Sequence, residues 1–72
     1  MAKLPVCSGA EAVKAFKRLG YREKKTKTPY VRLIASGRAS LSVPQHDTLA
    51  KGTLRHLISS SGFTVEEFND AL

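Results

Sequence analysis

Cysteine occurs once, at Cys7, so the chain has no internal disulfide framework, and one thiol with two scattered histidines lacks any zinc-ligand spacing. A reducing compartment is the simplest setting for such a chain. No apolar run approaches the roughly 18 residues of a membrane-spanning helix, and residues 1–6 lack the apolar core of a signal peptide. A cytoplasmic protein is expected. No cluster of Asp, Glu and His offers a cation site, so neither a metal nor another cofactor is expected. Tryptophan is absent, and no base-reading stack of aromatics is expected.

Acidic residues are also scarce, six against twelve Lys and Arg. Residues 1–38 carry ten of the twelve cations (Lys3, Lys14, Lys17, Arg18, Arg22, Lys24, Lys25, Lys27, Arg32, Arg38) against only Glu11 and Glu23. Residues 39–72 carry Lys51 and Arg55 against Asp47, Glu66, Glu67 and Asp70. Such polarity is an electrostatic footprint for a polyanion on the N-terminal half. The charge is not gathered on one helix opposite a broad apolar face, which favours nucleic acid over a membrane surface. The bland alternative is a basic surface that only keeps the protein soluble.

Seventy-two residues allow one domain, because a chain this short hides only about 60% of the surface its unfolded form exposes. A hydrophobic share of 42% without low-complexity runs fits a folded globular domain rather than a disordered tail. Ser8-Gly9-Ala10-Glu11 has the spacing of a capping box, and Ala12, Val13, Phe16 and Leu19 follow at helical spacing, predicting a helix over about 9–19 closed by Gly20. Lys14, Lys17 and Arg18 share another face of it, either plain solvated surface or a set of phosphate contacts.

Residues 21–25 are dominated by charge and can form a strand only at an edge or on an exposed face. Residues 30–35 are a stronger strand, 36–38 have turn chemistry, and 39–43 alternate with Leu41 and Val43 inward before Pro44. Residues 45–51 read as loop. Gly52-Thr53 opens a second helix whose Leu54, Leu57 and Ile58 form one apolar face, and Ser59-Ser60-Ser61-Gly62 closes it. Thr64-Val65-Glu66-Glu67 is a second capping box leading into a short terminal helix. The expected architecture is α+β, one domain over 1–72 in the order α-β-β-β-α-α, with a three-stranded antiparallel sheet packed on helices as in double-stranded-RNA-binding domains.

Three ordered blocks carry a resemblance. Ser42-Val43-Pro44-Gln45-His46 is similar to a strand ending in V-P-x-H, and Lys51-Gly52-Thr53-Leu54-Arg55-His56-Leu57-Ile58 to a K-G-T-L-R-x-I helix start. Gly62-Phe63-Thr64-Val65-Glu66-Glu67-Phe68 is similar to a G-L-x-x-E-E-F tail, and Leu19-Gly20-Tyr21 to a glycine followed by an aromatic. These features, over residues 8–72, resemble the HicA-type (YcfA-like) mRNA interferase toxins of prokaryotic toxin–antitoxin pairs. The resemblance implies an endoribonuclease that cleaves mRNA without metal, and a HicB-type antitoxin that covers its active face.

The sequence departs from the family at its diagnostic G-S-H triplet, which opens the second strand after a basic residue. Aligned without gaps from Gly20-Tyr21, Lys25 takes the basic position, Thr28 replaces the glycine, Pro29 the serine and Tyr30 the catalytic histidine. Cleavage by attack of a 2′-OH on the adjacent phosphate needs a proton acceptor near neutrality and a donor for the leaving oxygen. Histidine suits this, having a pKa near 6.5, whereas tyrosine, near 10, is protonated at pH 7 and can donate but is a poor base. With Tyr30 alone, activity should fall by the roughly 10²–10⁴-fold that general acid–base catalysis supplies.

His46, just after the third strand, is a candidate for a displaced base, set against the plainer reading of a loop histidine exposed to solvent or touching RNA. Lys25 and Lys27 are candidates to stabilise the pentacovalent phosphate. The expected RNA contacts are Lys14, Lys17, Arg18, Lys24, Lys25, Lys27 and Arg32. His56 lies off the apolar stripe and reads as a surface histidine, and Cys7 as incidental. Two rival functions remain open: a non-catalytic double-stranded-RNA-binding module that kept the fold, and a protein-interaction subunit whose basic face meets an acidic partner.

Overall fold

Ser8 begins the first helix as the sequence predicts: its hydroxyl accepts from the Glu11 N–H at 3.1 Å, and the Glu11 carboxylate accepts from the Ser8 N–H at 3.0 Å. The computed structural model describes residues 3–25 and 27–72. Met1 and Ala2, part of the signal-peptide reading, and Thr26, inside the Lys24–Lys27 segment, lie outside the described residues. Helix α1 spans Gly9–Arg18, strands β1, β2 and β3 span Arg22–Lys24, Tyr30–Ala35 and Arg38–Pro44, and helices α2 and α3 span Lys51–Ser61 and Val65–Ala71. The strands form one antiparallel sheet in the order β1-β2-β3. The chain is therefore α+β, in the order α-β-β-β-α-α.

The helices lie on the face of the sheet that carries Leu33, Leu41 and Val43, all buried, and α1 touches all three strands. Phe16 of α1 and Phe68 of α3 are fully buried with ring centroids 5.0 Å apart, joining the first helix to the last in one core with Leu33, Val43 and Leu54. An aromatic pair in this geometry contributes about 0.5–1.5 kcal/mol beyond its buried area. Leu54, Leu57 and Ile58 are the buried face of α2, as their spacing requires.

Several boundaries differ from the sequence reading, among them Pro44, which pairs with Tyr30 inside β3 instead of stopping it. Tyr21 is not a strand residue. It is 3% exposed, its ring meets Phe16 edge-on at 5.7 Å, and its hydroxyl donates to the Ala39 carbonyl at 2.9 Å. The first strand is correspondingly only Arg22–Lys24, all exposed, as its charge demands. Arg38 belongs to β3 rather than to the turn, paired with Ala35. Lys51 belongs to α2, whose N-cap is Ala50 and makes no side-chain cap.

Gly9 shows why the start of α1 is glycine. A Cβ there would collide with the Pro44 carbonyl and approach the Gln45 Cα to 2.9 Å, so only a bare backbone lets the helix sit against the end of β3. The Gly9 N–H donates to the His46 carbonyl at 2.9 Å, and the Leu49 N–H donates to the Cys7 carbonyl at 2.9 Å. The loop after β3 is thus tied to the segment before α1.

Candidate nucleic-acid interface

Side chains alternate across a strand, so β2 divides its residues between two faces. Val31, Leu33 and Ala35 turn to the helices, while Tyr30, Arg32 and Ile34 turn to the opposite, exposed face. In the register Lys24 pairs with Arg32, and Arg32 with Ser42, so these three side chains form one row across the open face. Tyr30, 48% exposed, stands next to that row.

Two hollows meet at Tyr30. One, of about 290 Å³, is walled by Thr28, Tyr30, Arg32 and Ser42. The other, of about 300 Å³, is bordered by Lys24, Lys25, Pro29 and Gln45, with Thr28 and Tyr30 shared. Glu23 reaches the second hollow and is neutralised by Lys17, whose Nζ lies 3.1 Å from the carboxylate. A shallow groove with an aromatic ring, a guanidinium, two ammonium groups and hydroxyls can stack a base and hold phosphate oxygens.

The structure gathers Lys24, Lys25, Tyr30 and Arg32 around this groove, with Lys27 in the adjoining bend, and leaves Lys14, Lys17, Arg18 and His46 apart from it. Lys14 and Arg18 border a separate hollow with Glu11 and Leu72. Arg18 donates to the Ala71 carbonyl at 2.7 Å, a cation at the C-terminal end of α3 where the helix dipole favours it. Lys17 is engaged with Glu23, and Lys27 is exposed in the bend before β2. His46 is exposed and lines neither hollow at Tyr30; its backbone carbonyl serves Gly9.

Among the described residues no group of three His, Cys, Asp or Glu side chains could hold a metal ion. Cys7 is buried, and its thiol is pushed up in pKa chiefly by that burial and also by the Glu11 charge, which leaves it a poor nucleophile. Tyr21 is likewise pushed up by burial, with the Arg38 charge opposing. Sequence reasoning missed Arg38 as a structural residue: its guanidinium lies 3.8 Å over the Phe63 ring and donates to the Ser61 carbonyl at 2.8 Å. Only the fold brings those residues together.

The family model of the HicA toxin of bacterial toxin–antitoxin systems matches residues 9–63, from the first residue of α1 to just past α2. The chain belongs to the HicA toxin family. Most of the third resembling block, Gly62 to Phe68, lies beyond that match. No curated protein matches the chain. As a HicA toxin it is one member of a toxin–antitoxin pair and has an antitoxin for a partner. On the open sheet face of this HicA toxin, Tyr30 stands beside Lys24, Lys25 and Arg32. Among the described residues no helix is long and apolar enough to cross a membrane.

Proposed function

We propose that this HicA toxin binds mRNA across the open face of its sheet and cleaves it without metal, with Tyr30 in the position the family gives to histidine. The observation that carries the reading is the groove itself: an aromatic hydroxyl at the first residue of β2, flanked by Arg32, Lys24 and Lys25. The reaction is attack of a ribose 2′-OH on the adjacent phosphorus. The 2′-oxygen gives its proton to a solvent water, the new P–O bond forms, the P–O5′ bond breaks and the departing 5′-oxygen takes a proton from the Tyr30 phenol, leaving a 2′,3′-cyclic phosphate. Arg32, Lys24 and Lys25 face the charge that grows on the phosphate oxygens, and the Tyr30 phenol is suited to donating rather than removing a proton. Cleavage is therefore slower than with histidine, by about 10²–10⁴-fold.

The same substitution supports a second reading, an RNA-binding protein that kept the face and lost the chemistry. In either case a HicB-type antitoxin would cover this face, and mRNA as target puts the protein in the cytoplasm. Incubation of mixed mRNA with the protein, with Tyr30→Phe and with Tyr30→His, all in chelator, separates the readings. Restored histidine is expected to raise cleavage and give a bell-shaped pH profile, while Tyr30→Phe abolishes what cleavage the parent shows. Equal cleavage by parent and Tyr30→His would remove Tyr30 from the reaction. Binding without cleavage by any of the three would favour the second reading.

A further inference from the structure

The groove does not stop at Tyr30. Ser42 also lines a third hollow, of about 360 Å³, whose other walls are Ser40, Leu41, His56, Leu57 and Ser60. β3 forms one wall and α2 the other. His56 and Ser60 are four residues apart on the helix and so lie on one side of it, across the free edge of β3 from Ser40 and Ser42. Leu41 and Leu57, both buried, make an apolar floor. The rim carries three hydroxyls and an imidazole and no carboxylate. Hydroxyl and imidazole donors can bond phosphate oxygens while an apolar floor accepts a sugar face, and nothing at this rim repels an anion.

Resting on the RNA reading of the Tyr30 face, we infer that this hollow is a backbone subsite for the same RNA strand, with His56 as its main phosphate contact. The register sets the spacing. Tyr30 pairs with Pro44, and Ser42 and Ser40 follow two and four residues along β3. At ~3.4 Å per residue they stand roughly 7 and 14 Å from the Tyr30 row. At about 3.4 Å per stacked nucleotide that is about two to four nucleotides from the one at Tyr30. His56 lines the hollow beside Ser40 and Ser42 and neither hollow at Tyr30. It lengthens the footprint, and the hydroxyls of Ser40, Ser42 and Ser60 complete the contact.

The test is fluorescence anisotropy with labelled single-stranded RNA, an octamer and a trimer of mixed sequence, their integrity checked on a gel. His56→Glu puts one negative charge at the rim, and Ser59→Glu puts the same charge on the exposed neighbouring side of α2, outside the hollow. Both sites are exposed, so both variants should keep the parent circular dichroism. His56→Glu is expected to weaken the octamer about tenfold and leave the trimer as the parent binds it. Ser59→Glu should change octamer affinity less than about twofold, and His56→Gln, which keeps a donor, should retain most of it. Equal octamer affinity for His56→Glu and Ser59→Glu, with the parent binding well, would overturn the subsite and leave the RNA reading standing. A parent that binds neither oligomer would overturn both.

Discussion

Tyr21 shows how one side chain serves two ends. Its ring packs on Phe16 while its hydroxyl holds the Ala39 carbonyl, so it fastens the exit of α1 to β3. Burial raises the phenol pKa, with Arg38 opposing, and the folded value therefore lies above the unfolded one near 10. The stabilising contribution is complete below pH ~10 and is lost as pH rises through the folded value. In urea titrations from pH 7 to 11, Tyr21→Phe should cost about 1 kcal/mol at pH 7 and flatten the alkaline decline. An unchanged alkaline limb would mean that ionised Tyr21 is tolerated in place. Cys7, raised in the same direction by burial and Glu11, contributes its own loss from pH about 9 upward.

Among the elements, the three helices start with unequal support. α1 and α3 have full capping boxes, from Ser8 with Glu11 and Thr64 with Glu67. α2 is N-capped by Ala50, which offers no side-chain acceptor, with Lys51 in a first turn that lacks an acid. Its position depends instead on the buried Leu54, Leu57 and Ile58, on the Leu49 tie to Cys7, and on Arg38 gripping its last turn at the Ser61 carbonyl. Ala50 already has the extended backbone of an N-cap, φ −63 and ψ 144. Ala50→Ser should therefore add a cap worth about 0.5–2 kcal/mol, seen as a melting temperature raised by roughly 4–8 °C per kcal/mol. No rise would show that water satisfies those N–H groups as well as serine.

For the whole molecule, charge is divided between the two sides of the sheet rather than gathered on one. Lys24 and Arg32 share the open face, whereas α1, with Lys14, Lys17 and Arg18, packs on the other. If RNA lies along the open face, Lys24, Lys25, Lys27 and Arg32 are its cations. Four phosphate contacts give a log K against log[salt] slope of about −3 for a single strand. Lys25→Glu with Lys27→Glu should reduce that slope by about half and leave the fold intact, since both residues are exposed. A slope near zero in the parent would sink the electrostatic account.

Much of this architecture was legible because it is local. Capping boxes act over three residues, apolar spacing selects the buried side of a helix, and alternation in 39–43 places Leu41 and Val43 inward, so those elements follow from neighbours in sequence. The family was legible too, from short blocks in order. What sequence could not supply were contacts between residues far apart in the chain: Tyr21 on Ala39, Arg38 on Phe63 and Ser61, Arg18 on Ala71, and Gly9 against Pro44. Those contacts take Arg18 to the end of α3 and Arg38 to the end of α2, and they moved the strand boundary off Tyr21. The sequence by itself determined the elements, their order and the sign of the surface. Only the tertiary structure decided which cations stand beside Tyr30 and that the groove continues to His56, because a face of a sheet exists only once its strands have paired.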